Sequence, residues 1–278
     1  MAPSARPLTP ADHAALDALL ATRPMAAVFA RSHLSWRGLG EDGMRGFGCP
    51  DPSAPGAPAL AAAVIAHQGI AWSVWETPAQ AAALAAALPD LGVDLLSGPR
   101  PVVEPLLAHL RPPAVGEGDH CPFQELRPAD LHAPPDGGPP ARRATLDDMD
   151  PLIDFYIRGF YSLARLPTRA AWHARLSEQI IHRTLYLIEQ DGSVVSAAMS
   201  SAETPQAAMI GGVATVKEYR NRGLSARCVC ALCADLFARG IAQIGLFYLP
   251  ANKPAARVYA KLGFQPAGEW WLQRLYYW

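Results

Sequence analysis

From residue 141 onward the apolar positions change period several times, and each change marks an element. ARRAT (141–145) reads as a short strand. Thr145 stands three residues before Asp148 as a helix start, and Met149, Leu152, Ile153, Tyr156, Ile157 and Phe160 then recur at helical spacing. A second helix is expected from Thr168, with Trp172, Leu176, Gln179 and Ile180 on one side. TLYLIE (184–189) and SVVSAAMS (193–200) flank Gln190-Asp191-Gly192, a hairpin signal. AAMIGGVATV (207–216) carries no charge and is expected to be a central strand. The loop KEYRNRG leads into a helix ending near Arg239, then the strand IAQIGLFYL (241–249) and a helix from Lys253 to Leu262. FQPAGEWWLQRLYYW closes the chain as one or two strands. The order β-α-α-β-β-β-α-β-α-β is an antiparallel run followed by one parallel crossover, an α+β arrangement.

The N-terminal pattern is sparser. Helices are expected at about 10–22 and 25–36, followed by a Gly/Pro-rich stretch at 38–58. ALAAAVIAHQGIAWSVWE reads as a hairpin turning at Gln68-Gly69. An Ala-rich helix (78–88), a short strand near Val93–Leu96 and a helix ending near Leu110 complete an echo of the C-terminal order. Between the halves, residues 111–140 hold prolines 112, 113, 122, 128, 134, 135, 139 and 140 and the pair Gly137-Gly138. Such a segment sustains neither helix nor central strand. The expected division is therefore 1–120, a linker over 121–140, and 141–278.

Length and composition narrow the chemistry. The chain has 278 residues, half of them hydrophobic, which suffices for two packed domains. A formal net charge of −1 argues against a sequence-independent nucleic-acid binder or a membrane-surface protein. The absence of a run of about 18 apolar residues argues against a spanning helix, and MAPSARPLTPADHAAL lacks a signal peptide's apolar core. A cytoplasmic protein is the expectation. Five cysteines, Cys49, Cys121, Cys228, Cys230 and Cys233, do not form a disulfide framework. Cys228, Cys230 and Cys233 sit on one helix, where about 100° per residue turns the first two thiols apart, so no metal site is expected.

The informative stretch is Tyr219-Arg220-Asn221-Arg222-Gly223-Leu224-Ser225-Ala226, between a strand and a helix. A helix start leaves backbone N–H groups unpaired and partly positive, and a preceding glycine turn lets them close on a phosphate. Arg220 and Arg222 add charge. An ordinary strand–helix connection with solvated arginines fits the same residues. A Gly-x-Ser-x-Gly hydrolase elbow is excluded, since Gly223-Leu224-Ser225-Ala226-Arg227 lacks the final glycine.

These residues resemble the GNAT superfamily of acyltransferases, whose pyrophosphate loop reads Arg/Gln-x-x-Gly-x-Gly/Ala. The chain offers Arg220-x-x-Gly223-x-Ser225, departing at the last position. Asn252-Lys253-Pro254-Ala255-Ala256-Arg257-Val258-Tyr259-Ala260-Lys261-Leu262-Gly263-Phe264 resembles the family's second signature, Asn-x-x-Ala-x-x-x-Tyr-x-x-x-Gly-Phe, at every fixed position. The resemblance covers 141–278. It implies two GNAT-like mixed-sheet domains in tandem, similar to the FR47-like members, with a degenerate N-terminal one.

Carried onto this chain, the resemblance implies acetyl-CoA or another acyl-CoA as donor and an amine of a small molecule or peptide as acceptor, attacking directly. Val213, Ala214, Thr215 and Val216 would pair with the pantetheine arm. Arg220, Asn221, Arg222, Gly223, Leu224, Ser225 and Ala226 would hold the pyrophosphate. Asn252 would help hold that end of the site, and Tyr259 would protonate the departing thiolate. Tyr259 also fits a buried core aromatic. Strand 207–216 carries no carboxylate to serve as base, which leaves Glu203 as the nearest candidate, with Glu178, His173 and His182 behind it. Glu203 fits a solvated turn carboxylate equally well. A non-catalytic acyl-CoA-binding module is the rival reading. Arg158, Arg165 and Arg169 between the first two helices of this half point to an anionic or neutral acceptor.

Overall fold

The computed structural model describes residues 3–40, 43–54, 59–110, 115–134, 137–159 and 168–276. Pro112, Pro113, Pro135, Phe160 and Arg165 lie outside them. In chain order the first elements are β1 (Arg6–Pro7), α1 (His13–Ala21), α2 (Val28–Arg37), β2 (Arg45–Pro50), β3 (Leu60–His67) and β4 (Ile70–Val74). Then come α3 (Pro78–Leu91), β5 (Leu95–Pro99), α4 (Arg100–Leu107) and β6 (Val115–Leu126). The second series is β7 (Arg142–Arg143), α5 (Met149–Gly159), α6 (Arg169–His182), β8 (Leu185–Gln190), β9 (Ser193–Glu203) and β10 (Ala207–Thr215). It ends with α7 (Leu224–Ala238), β11 (Gln243–Phe247), α8 (Lys253–Lys261) and β12 (Gln265–Leu275). The α+β class is as the residue pattern indicates, and the order β-α-α-β-β-β-α-β-α-β occurs twice.

Two compact units result, Met1–Phe123 with Ala267–Trp278, and Gln124–Pro266. These bounds differ from the expected ones in two ways. Residues 121–126 belong to a strand, because Cys121, Phe123 and Leu126 bury their side chains despite Pro122. The chain's final strand joins the first unit: β12 runs antiparallel to β5, pairing Trp271 with Gly98 and Gln273 with Leu96. Strand β2 falls within the Gly/Pro-rich stretch at 38–58, for which no strand was expected. Gly46 and Gly48 admit it, because a Cβ at either would crowd Leu8, and at Gly46 also the Val64 carbonyl.

In the first unit β1 to β4 pair antiparallel in sequence, and β4 pairs with β5 in parallel. One core collects Leu84, Leu88, Leu96, Leu106 and Trp271, and another Leu16, Leu20, Leu34, Ile65 and Trp72. In the second unit β7, β8, β9 and β10 pair antiparallel and β10 pairs with β11 in parallel. Helices α5 and α6 cover one face through Leu152, Phe155, Tyr156, Trp172 and Leu176. Helix α7 covers the other through Cys228, Val229, Leu232 and Leu236. Hairpin turns form where expected, with Gln68 at φ 47 and Gly69 at φ 79, and Asp191 at φ 51 and Gly192 at φ 72.

The two series open on the same side-chain lock. Arg6 grips Asp12 at 2.6 Å, and Asp12 accepts the backbone N–H of Thr9 at 2.9 Å. Arg142 grips Asp148 at 2.6 Å, and Asp148 accepts the backbone N–H of Thr145 at 2.8 Å. In both cases the paired guanidinium holds the carboxyl below the usual carboxylate range. Among the described residues no helix is long and apolar enough to cross a membrane.

Candidate acyl-donor site

Strand β10 positions the site by leaving one partner. It pairs with β11 from Ala207 to Ile210, and among the described residues no pair continues over Gly211–Thr215. On its other edge it stays with β9, but the register slips twice. Met209 faces Ala202 and Ile210 faces Ser200, so Ser201 is an extra residue in β9. Gly211 faces Met199 and Ala214 faces Ala197, so β10 in turn carries an extra residue around Gly212. Glycine is needed there, because φ is +58° and the Met199 side chain fills the space of a Cβ. The Tyr156 hydroxyl of α5 donates to the Gly212 carbonyl at 3.2 Å.

The expected pantetheine stretch, Val213–Val216, is half-buried. Some of its backbone groups are already occupied. The Ser196 hydroxyl donates to Ala214 O at 3.1 Å, Arg220 Nε to Thr215 O at 3.1 Å, and Val216 N to Val195 O at 2.9 Å. The groups on the side that β11 vacates are the ones left for a ligand.

Beyond β10, a 3₁₀ turn (Lys217–Tyr219) leads to Arg220 in extended conformation, Asn221 at φ 63 and Gly223 at φ 73. Gly223 is the N-cap of α7 and supplies no side-chain cap, so the first N–H groups of that helix lack a side-chain acceptor. A Cβ on Gly223 would meet nothing within 4 Å, which means open space in front of those N–H groups. Leu224 is buried, while Ser225 and Ala226 are half-buried. Arg222 bends back, donating to Glu218 O at 3.2 Å and lying 5.0 Å over the Tyr219 ring. A cleft of about 550 Å³ beside this turn is lined by Pro139, Glu189, Gln190, Asp191, Glu218, Tyr219 and Arg222. Its three carboxylates disfavour an anion, so the helix start rather than this cleft suits a phosphate.

Asn252 caps α8, its Oδ1 accepting from Ala255 N at 3.2 Å. Among the described residues its amide nitrogen has no hydrogen-bond partner. Tyr259, one helical face further on, is 7% exposed and belongs to the α7-side core. Its ring lies 5.8 Å from Tyr248 and from Phe264, and among the described residues its hydroxyl has no hydrogen-bond partner. Burial pushes its phenol well above the ordinary value, so it stays protonated.

Glu203 ends β9 opposite Ala208, near the start of β10 and away from Gly223. Its Oε2 pairs with Arg239 at 2.9 Å and its Oε1 accepts from the Ser200 hydroxyl at 2.5 Å. The carboxylate expected to be free for base chemistry is therefore engaged in holding β9 to α7. Glu178 is half-buried on α6, and His173 lies 3.5 Å from Ser177 on the same helix. Arg169 spans Asp150 at 2.7 Å and Asp154 at 2.6 Å, so its charge is matched by α5. Cys228 and Cys233 are buried in the core, where burial pushes the Cys228 thiol up to about 12. The residue pattern gave no sign of Ser201, since a bulge is not visible in a run of small residues, and it showed Tyr156 only as a helix-face residue.

Residues 152–264 match the model of the acetyltransferase (GNAT) family. No curated protein matches the sequence. Among solved structures, a GCN5-related N-acetyltransferase from Sphaerobacter thermophilus is similar at 16% identity, with TM-score 0.66 over 97% of this chain and 94% of its own. An acetyltransferase of the GNAT family from Colwellia psychrerythraea is similar at 10% identity, with TM-score 0.65 over 99% of this chain and 100% of its own. A tandem GNAT protein from the clavulanic acid biosynthesis pathway is similar at 12% identity, with TM-score 0.61 over 99% of this chain and 98% of its own. These likenesses show a shared α+β fold.

Proposed function

We propose that the chain is an N-acyltransferase that takes its acyl group from acetyl-CoA and passes it directly to the amine of a small molecule or peptide. The carrying observation is the opening of β10 away from β11 over Gly211–Thr215, continuous with the uncapped start of α7 at Gly223. The thioester, when bound, supplies an activated acyl carbon. Backbone groups of Val213–Val216 left free by β9 would hold the pantetheine arm like an added strand. N–H groups from Asn221 to Ala226, with the charge of Arg220 and Arg222, would take the pyrophosphate. The Asn252 amide nitrogen would close that end. In the transfer a nitrogen–carbon bond forms and the carbon–sulfur bond breaks. Tyr259 gives its proton to the sulfur, the acylated nitrogen loses one to water, and solvent returns a proton to Tyr259.

The first unit fits a degenerate partner in a tandem pair, and a cytoplasmic location fits the composition. Strand β4 enters α3 through Thr77-Pro78 rather than a glycine turn. Thr77 Oγ1 accepts from Gln80 N at 3.3 Å, and Pro78 has no N–H, so few donors remain for a phosphate. The engagement of Glu203 with Arg239 favours the second reading, an acyl-CoA-binding module without turnover. Release of CoA thiol from acetyl-CoA, followed with a panel of amines, separates the two. Binding with no release above background would leave the second reading standing.

A further inference from the structure

Resting on the acyl-transfer reading, we infer that the Ser201 hydroxyl is the group that receives the acceptor amine. Three observations place it. Ser201 is the extra residue of β9, and the bulge sets it against Gly211, the first residue of β10 without a β11 partner. The contact is intimate: a Cβ on Gly211 would fall on the Ser201 oxygen. Gly211 thus leaves room for a hydroxyl at the point where the two strands part.

The second observation is what the neighbouring serines do. Ser196 Oγ donates to Ala214 O at 3.1 Å and lies 2.9 Å from Thr215 Oγ1. Ser200 Oγ accepts from Thr184 N at 3.0 Å and meets Glu203 at 2.5 Å. Both are buried and fully engaged. Ser201 is half-buried, and among the described residues its hydroxyl has no hydrogen-bond partner. Its oxygen is therefore left for water or a ligand.

The third is what is missing. β10 has no carboxylate, and Glu203 is held by Arg239. A serine hydroxyl near neutral pH cannot serve as a strong base, but its oxygen accepts a hydrogen bond well. An amine donating one N–H to Ser201 Oγ has its lone pair fixed toward the strand opening, where the acyl carbon would lie. The gain is orientation rather than proton removal. The proton then leaves to solvent, which requires the amine to arrive unprotonated.

The test uses the full chain. Acetyl-CoA affinity is measured by calorimetry, and thiol release is followed with ethanolamine, glucosamine, tyramine and glycylglycine, and with water alone as acceptor. Ser201→Ala and the near-isosteric Ser201→Cys are expected to lower kcat/KM for the best amine by about ten- to a hundredfold, with acetyl-CoA affinity and melting temperature unchanged. The pH at which activity half-rises should not move, because Ser201 does not titrate there. Unchanged kcat/KM in both variants, with the wild type active, overturns the assignment and leaves acyl transfer intact. Equal losses in acetyl-CoA affinity would make Ser201 a structural residue and overturn it as well. A wild type that binds acetyl-CoA but acylates neither amine nor water overturns acyl transfer and this assignment together.

Discussion

The Tyr156 hydroxyl and the Gly212 carbonyl are joined across 3.2 Å, so helix α5 holds the bulge that opens β10. Tyr156 is fully buried and stacks on Trp172 with ring centroids 5.3 Å apart. Tyr156→Phe keeps the stack and leaves the carbonyl without its donor, which is expected to cost about 1–2 kcal/mol. The urea midpoint should fall with an unchanged slope. An unmoved midpoint would show that the bond is not made in solution.

Gly223 should be the most sensitive position for the donor. At φ +73 any side chain is strained, and a larger one projects into the open space before α7. Gly223→Val is expected to weaken acetyl-CoA binding at least tenfold, about 1.4 kcal/mol. Gly223→Ala should share the strain but obstruct less. Calorimetry well below the melting temperature of each variant measures both. Wild-type affinity in the valine variant would remove the phosphate from this turn.

Tyr259→Phe tests proton donation. The ring and its packing against Phe264 remain, so acetyl-CoA affinity should hold while turnover falls by about 10²–10⁴-fold. Because burial raises the phenol, the protonated form persists above the ordinary value near 10, and turnover should not fall as pH passes it. Stability behaves differently. The folded chain favours the neutral phenols of Tyr156 and Tyr259, whereas the unfolded chain ionises them near pH 10. Their contribution is complete below that pH and declines above it. Alkaline urea titrations of wild type and Tyr259→Phe, compared between pH 9 and 11 (a window set by the ordinary phenol value), should show a shallower loss in the variant.

Glu203→Gln separates scaffold from base. Loss of the charge facing Arg239 is expected to cost about 1–3 kcal/mol, with turnover within a few-fold of wild type. A stable variant with turnover reduced by about 10²-fold or more would restore Glu203 as the acceptor's base.

Much of this was written in the residue pattern. Gln190-Asp191-Gly192 announces its hairpin, and Thr168 caps its helix through Ala171 N at 3.2 Å. The turn at Gly223 was legible because a positive φ is a local demand, whereas the capping of α8 by Asn252 was not read from the pattern. Strand β2 was not, since its burial depends on Leu8 and Leu60, which close on Gly48 from outside the segment. The engagement of Glu203 was hidden for the same reason: Arg239 lies on another element, and spacing along the chain carries no sign of the pair. The fate of β12 was equally hidden, because Trp270 reaches the core by a bond from its Nε1 to Ser97 Oγ at 3.0 Å, far back along the chain.

The first unit should also lack a donor site, since Thr77 and Gln80 close the start of α3 on each other. Calorimetry on the full chain is expected to give one acetyl-CoA per chain. A stoichiometry of two would locate a second site. A fragment of residues 1–120 would be a poor substitute, because it lacks the strand that pairs with β5.

That strand also sets an order of events. A ribosome releases residues 1–123 long before residues 267–275, yet β5 waits for Trp270 and Trp271 to finish its sheet. The half made first is therefore the half completed last. Until then β5 offers a bare edge and Leu96 lacks part of its cover, a template for pairing with another nascent chain. Stop codons a dozen residues early would damage the unit at the opposite end of the sequence, sparing the secondary structure around Gly223 and Tyr259.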